Sequence, residues 1–174
     1  MGNKMIFFFI IFLITILGTT TYNLKPHPFD DYIEWLTANS EFEYNGEEYP
    51  QVIYLSDEEM QITAYTQERI DEAKAKGRAI PHIKALYDHR ENIIMLQEGT
   101  DLESYDSAYI VVHELVHFLQ MINGVTEKET CKPSLEEDAY RLQYSWQIAH
   151  NHPGPYPNFL FVQMITSSCY KQSS

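Results

Sequence analysis

The chain predicts an α+β fold, on three observations. Three short runs rich in β-branched and aromatic residues read as strands, at 48–56 (EYPQVIYLS), 83–88 (IKALYD) and 92–99 (NIIMLQEG). The last two are joined by a tight polar turn, His89 to Asn92, so they form a β-hairpin. Longer segments with helical periodicity and capping signals surround them, giving mixed helices packed on a small sheet. The 174 residues suit one domain of ordinary size, and no internal repeat divides them.

The chain opens with MGNKMIFFFIIFLITILGTTTYN. Lys4 precedes an apolar run from Ile6 to Leu17, interrupted only by Thr15. That run is short for a bilayer span and right for the apolar core of a secretory signal. Small residues follow from Gly18 to Thr21, so residues 1–21 read as a signal peptide and 22–174 as a single exported domain, with an uncleaved membrane anchor as the alternative. No cysteine follows the apolar run, which excludes a lipoprotein anchor, and no stable membrane association is expected after cleavage. The formal charge of −13 repels phosphate backbones, so nucleic acid is not an expected partner. Two cysteines, Cys131 and Cys169, have no zinc-knuckle spacing and read as one disulfide in an exported chain. Such a bridge ties the C-terminal segment to the loop before Glu136, with a loop-closure contribution of about 3–4 kcal/mol.

The elements follow in order. Residues 27–40 (HPFDDYIEWLTANS) form a short amphipathic helix with Phe29, Ile33 and Leu36 on one side. The strand at 48–56 runs into Ser56-Asp57-Glu58-Glu59, a capping box opening a helix that continues to Gly77. After the hairpin, a loop with Asp101, Ser104 and Asp106 leads to a helix from about Ser107 to Asn123, closed by Gly124. Residues 125–133 read as a loop. A strong helix follows at 134–150 (SLEEDAYRLQYSWQIAH), then a proline-rich connector at 151–158 and an apolar closing helix at 159–171.

The chemistry lies in 111–120, VVHELVHFLQ. His113-Glu114-x-x-His117 puts two imidazoles on one helical face, one turn apart, with a carboxylate beside them. A catalytic zinc site takes three protein ligands and leaves one position for water, so a third ligand is required. The helix at 134–150 opens with carboxylates. Ser134 and Glu137 have capping-box spacing, which commits Glu137 to the backbone and leaves Glu136 free to face the histidines.

HELVH followed by Glu136-Glu137-Asp138-Ala139 resembles the zincin metallopeptidases of the glutamate type, whose third zinc ligand stands in an E-x-x-A context. The resemblance covers about residues 83–147 and extends to a group of small exported zincin-like domains of unknown function. It implies a minimal zincin-like fold with one Zn²⁺ per chain held by His113, His117 and Glu136. It also implies Glu114 as general base and hydrolysis of a peptide or protein substrate. Zincins also pair an edge strand with an extended peptide, a role for which the strand at about Asn92 to Leu96 stands, with a plain core strand as the equal reading. Gln120 and Asn123 occupy the positions where metzincins need glycine and histidine, which excludes that class. No cysteine precedes Cys131, which excludes a peptide deformylase. Tyr140 stands where glutamate-type enzymes often place an aspartate, so support for a ligand histidine must come from elsewhere.

A donor to the reacting carbonyl oxygen is also needed. Tyr109, Tyr140, His150, His152 and Tyr156 are candidates, and the sequence assigns none. Gln120 is read as packing on the sheet in preference to orienting a ligand. Trp146 and Leu142 are read as core, and His27, His82 and His89 as surface residues. The expected function is therefore an exported zinc metallopeptidase. The alternatives are a catalytically silent zinc-binding interaction domain and a structural domain in which the motif is fortuitous.

Overall fold

A computed structural model describes residues 26–129, 131, 133–152 and 154–170. The expected signal peptide, 1–21, lies outside them. The elements are α1 (Asp30–Ala38), β1 (Gln51–Leu55), α2 (Asp57–Ala75), β2 (Ala85–Asp88), β3 (Ile93–Gln97), a 3₁₀ turn at Tyr105–Ser107, α3 (Ala108–Ile122), α4 (Val125–Lys128), α5 (Pro133–Ala149) and α6 (Phe159–Tyr170). The fold is α+β, a three-stranded sheet with helices packed on it.

The sheet order is β1-β3-β2. β3 pairs parallel with β1 and antiparallel with β2, the expected hairpin. Of the two readings of 92–96, the plain core strand holds and the edge strand does not: these residues fall in the middle strand. Its near-continuous apolar run fits that place, since Ile94 and Leu96 are completely buried. The strand that ends the sheet beside the site is β2.

Helix α3 is the centre of the core. Val111, Val112, Leu115, Val116, Phe118 and Leu119 are buried against α1, β3 and α5. Phe29, Ile33 and Leu36 of the α1 segment meet them, as the periodicity predicts, and Leu142 and Trp146 enter from α5. Burying so many large side chains, each worth about 1.5–3 kcal/mol, places α3 by tertiary packing. Its own start carries no side-chain cap. Gly124 closes the helix with φ of +67°, the left-handed conformation glycine adopts at no steric cost.

Three local expectations change. α2 starts with the complete Ser56–Glu59 capping box but breaks its helical path at Thr66, with φ 59° and ψ 148°. Residues 125–128 turn into the short α4 instead of remaining loop. Ser134 does not cap α5. It already lies inside the helix and its hydroxyl donates to the Cys131 carbonyl at 2.8 Å, while Glu137 is solvent-exposed.

Candidate metal centre

α3 and α5 lie side by side, and their contact brings together His113, His117 and Glu136. Nε2 of His113 is 3.3 Å from Oε2 of Glu136, and Nε2 of His117 is 3.5 Å from Oε1. The three ligand atoms lie within 4.8 Å of one another. The imidazole rings are 5.0 Å apart, as the one-turn spacing requires. Glu136 is the carboxylate of the first turn that faces the pair and Glu137 faces solvent, as expected, although the capping box that suggested the choice is not formed.

The donor set fits a metal ion, because hydrogen bonds to both rings leave the Nε2 atoms as acceptors. His117 Nδ1 lies 2.8 Å from Gln120 Oε1, and the Gln120 amide NH₂ donates to the Leu135 carbonyl at 2.8 Å. His113 Nδ1 lies 3.0 Å from Gln143 Oε1. Gln143 donates in turn to Gln147 at 3.3 Å, and Gln147 to the Pro155 carbonyl at 3.1 Å. Each row ends on a backbone carbonyl, which can only accept. Every amide must therefore turn its NH₂ toward that carbonyl and its oxygen toward the histidine. Both rings consequently carry a proton on Nδ1, so each imidazole in its neutral form presents the Nε2 lone pair to the site.

Gln120 thus orients the His117 ring, correcting its reading as a packing residue. Gln143 and Gln147 were missed in the sequence. Their signal is the spacing 136, 140, 143, 147, a stripe down one face of α5 in which buried positions carry amides in place of hydrocarbon.

Glu114 is buried at 6% exposure and faces the edge strand, where the Tyr87 backbone N–H donates to its carboxylate. The ladder explains that free amide. Gln97 N–H donates to the Lys84 carbonyl, so alternation turns the N–H and C=O groups of Ala85 and Tyr87 away from β3. Burial raises the Glu114 pKa, against the pull of His113 and His117. For His117, burial disfavours the imidazolium, but the Glu136 hydrogen bond and the Glu114 and Glu136 charges prevail and raise it to about 9. Burial likewise opposes ionisation of Glu136, yet the two histidines hold it well below the usual carboxylate range. Tyr140 is pushed up to about 12 by burial and by the Glu136 and Glu114 charges.

The three groups line a cleft of about 770 Å³. One wall is β2 with Lys84; the other is α5 and the connector at Pro155, Tyr156 and Pro157. The connector is held close. A Cβ on Gly154 would fall 2.6 Å from His152 Cε1 and 2.9 Å from the Tyr109 ring, so only glycine fits. Buried His152 accepts the Gly154 N–H on Nδ1 at 2.9 Å and donates from Nε2 to the Tyr105 carbonyl. His150 stacks on Trp146 outside the cleft. His27, His82 and His89 are exposed as expected, although His82 and His89 stand at the cleft wall.

Cys131 and Cys169 form a disulfide with Cα atoms 5.5 Å apart, joining the start of α5 to α6. No described helix is long and apolar enough to cross a membrane. The family model described as a domain of unknown function (DUF6647) matches residues 26–173, and the chain belongs to that family. No curated protein and no solved structure matches it.

Proposed function

We propose that this domain is an exported zinc metallopeptidase that binds one Zn²⁺ through His113, His117 and Glu136 and hydrolyses peptide bonds. The observation that carries the reading is the convergence of two Nε2 lone pairs and a carboxylate at a cleft, with Glu114 beside them. Three protein ligands and an open side facing solvent match the plan of a catalytic zinc site. Zinc supplies Lewis acidity there, activating a water and polarising the scissile carbonyl.

The protein's own groups do the rest. Glu114 is not among the three clustered ligands and takes a proton from the attacking water. Its burial favours holding that proton until it passes to the departing nitrogen as the C–N bond breaks. The water oxygen ends in the new carboxyl group, and an amine leaves. The outward groups of Ala85 on β2 offer main-chain hydrogen bonds to an extended substrate lying in the cleft. Gln120 and Gln143 hold the ligand rings in one tautomer throughout. The disulfide fits an oxidising compartment, which supports export with residues 1–21 as the signal. The net charge of −13 supports a peptide substrate over a nucleic acid.

Elemental analysis of the chain from residue 22, beside Glu136→Ala, Glu137→Ala and Glu114→Gln, tests this. One zinc per chain is expected, lost in Glu136→Ala and kept in the other two. Glu114→Gln should lower the cleavage of fluorescein-labelled casein by roughly 10²–10⁴-fold, the scale of a general base. No metal in the unaltered chain after zinc is added back overturns the proposal. Zinc bound with no cleavage would favour the silent zinc-binding domain.

A further inference from the structure

We infer that Tyr140 is a catalytic residue of the proposed site, its hydroxyl donating a hydrogen bond to the substrate carbonyl oxygen as that oxygen gains negative charge. This inference rests on the hydrolytic reading above and adds the donor which that chemistry needs.

Five side chains qualify by residue type, and their surroundings separate them. His152 has both ring nitrogens engaged, with the Gly154 N–H and the Tyr105 carbonyl. His150 is turned onto Trp146 and does not line the cleft. Tyr109 keeps its own proton while accepting from Lys84 Nζ at 3.4 Å. That contact draws its hydroxyl to the cationic β2 wall, and its ring packs on His152 instead of on a histidine of the site. Tyr156 lines the cleft but is 54% exposed, with its ring against Tyr144. A donor half in water is a weak one, because solvent competes for its proton and screens its field.

Tyr140 differs on each count. It follows Glu136 by one turn on the same face of α5, so the helix that supplies the carboxylate ligand also carries the hydroxyl. Its ring packs on the imidazole of His113 with centroids 4.5 Å apart, which fixes its position against a ligand. Tyr140, Glu136 and Glu114 line the same cleft, so the hydroxyl shares it with the ligand and the base. Its hydroxyl makes no hydrogen bond to any described residue. No buried side-chain polar atom is left without a partner, so that oxygen reaches the open cleft. A donor whose ring is held against His113, which lines the same cleft and is unused in the free protein, needs little reorganisation when charge appears there.

The site also explains the departure at this position. An aspartate four residues after Glu136 could support a histidine, but Gln143 already does so. The position is thereby released for a group that faces substrate.

Cobalt(II) loading gives a visible spectrum with which to test this. Acetohydroxamate, which offers oxygens to both metal and donor, and azide, which offers none, are titrated into the unaltered chain, Tyr140→Phe and Tyr156→Phe. Tyr140→Phe should keep one metal per chain, its melting midpoint and its azide affinity. It should lose roughly 10–100-fold in acetohydroxamate affinity, the scale of a hydrogen bond to a charged group. On labelled casein its kcat should fall by roughly 10²–10³-fold with KM little changed. Unchanged acetohydroxamate binding by Tyr140→Phe overturns the assignment while leaving the metal centre in place, and so does a loss that appears in Tyr156→Phe instead. No cobalt spectrum in the unaltered chain removes the metal reading and this inference with it.

Discussion

His117 takes its orientation from its own helix, through Gln120 three residues on, whereas His113 takes it from Gln143 on α5, 30 residues away in sequence. Both rows end on a backbone carbonyl and fix the same tautomer, but they differ in what supports them. The His117 arm spans one turn of α3 and needs α5 only for the Leu135 carbonyl. The His113 arm runs through two buried amides to the connector wall at Pro155, and it exists only while α3, α5 and the connector are docked. One arm is therefore mostly secondary structure, and the other is a product of tertiary packing. Amides stand on both arms where a carboxylate is the common alternative, so the two imidazoles are oriented without added negative charge.

The comparison is sharpened first by opening the disulfide. Cys131→Ser with Cys169→Ser releases a closure of 38 residues at the start of α5 and should cost about 3–4 kcal/mol, read as a lower midpoint in thermal unfolding. Because α5 carries Glu136 and Gln143, metal affinity should fall as well, and it should recover partly when the midpoint is raised by a stabilising salt. An unchanged midpoint would mean that α5 is docked without the bridge.

Next comes Gln143→Leu, which removes the distant arm and leaves Gln147 without its donor. Metal affinity in a chelator competition should fall by roughly 100-fold, with a loss of about 1–3 kcal/mol in stability from the orphaned amide. Gln120→Leu should weaken metal binding less, by roughly tenfold, because the helix still limits the His117 ring to few rotamers. Equal losses would remove the distinction between the arms.

The pH dependence follows from His117. Its imidazolium persists to about 9, so a metal ion must displace that proton at lower pH, whereas Glu136 is already ionised. Affinity should therefore rise with pH by up to tenfold per unit between pH 7 and 8.5 and flatten near 9, with about one proton released in calorimetry in two buffers. A flat profile would mean that His117 is neutral before the metal arrives. The smallest effect is expected for Gln147→Glu, which keeps an acceptor for Gln143 but loses the donor to Pro155. It should shift metal affinity only a few-fold while loosening the connector, seen as faster amide exchange around Gly154.

What the sequence determined by itself is what short-range rules govern. The hydrophobic period of α1 named Phe29, Ile33 and Leu36, and the Ser56–Glu59 box marked the start of α2. The polar turn at 89–92 joined β2 to β3, and Gly124 ended α3. The one-turn spacing of His113 and His117 needed nothing more than the pitch of a helix. Tertiary structure decided the rest. β3 became the middle strand because β1, separated from it by α2 and β2, pairs on its far side, a choice no local pattern encodes. Ser134 entered α5 where its spacing suggested a cap, because the chain turns at Cys131 under the disulfide. The roles of Gln143, Gln147 and Tyr140 depend on which face of α5 meets α3, and that face is selected by burial of Ala139, Leu142 and Trp146. A helix writes its own spacing into the sequence, but the partner of each side chain across the interface is set by packing between distant segments.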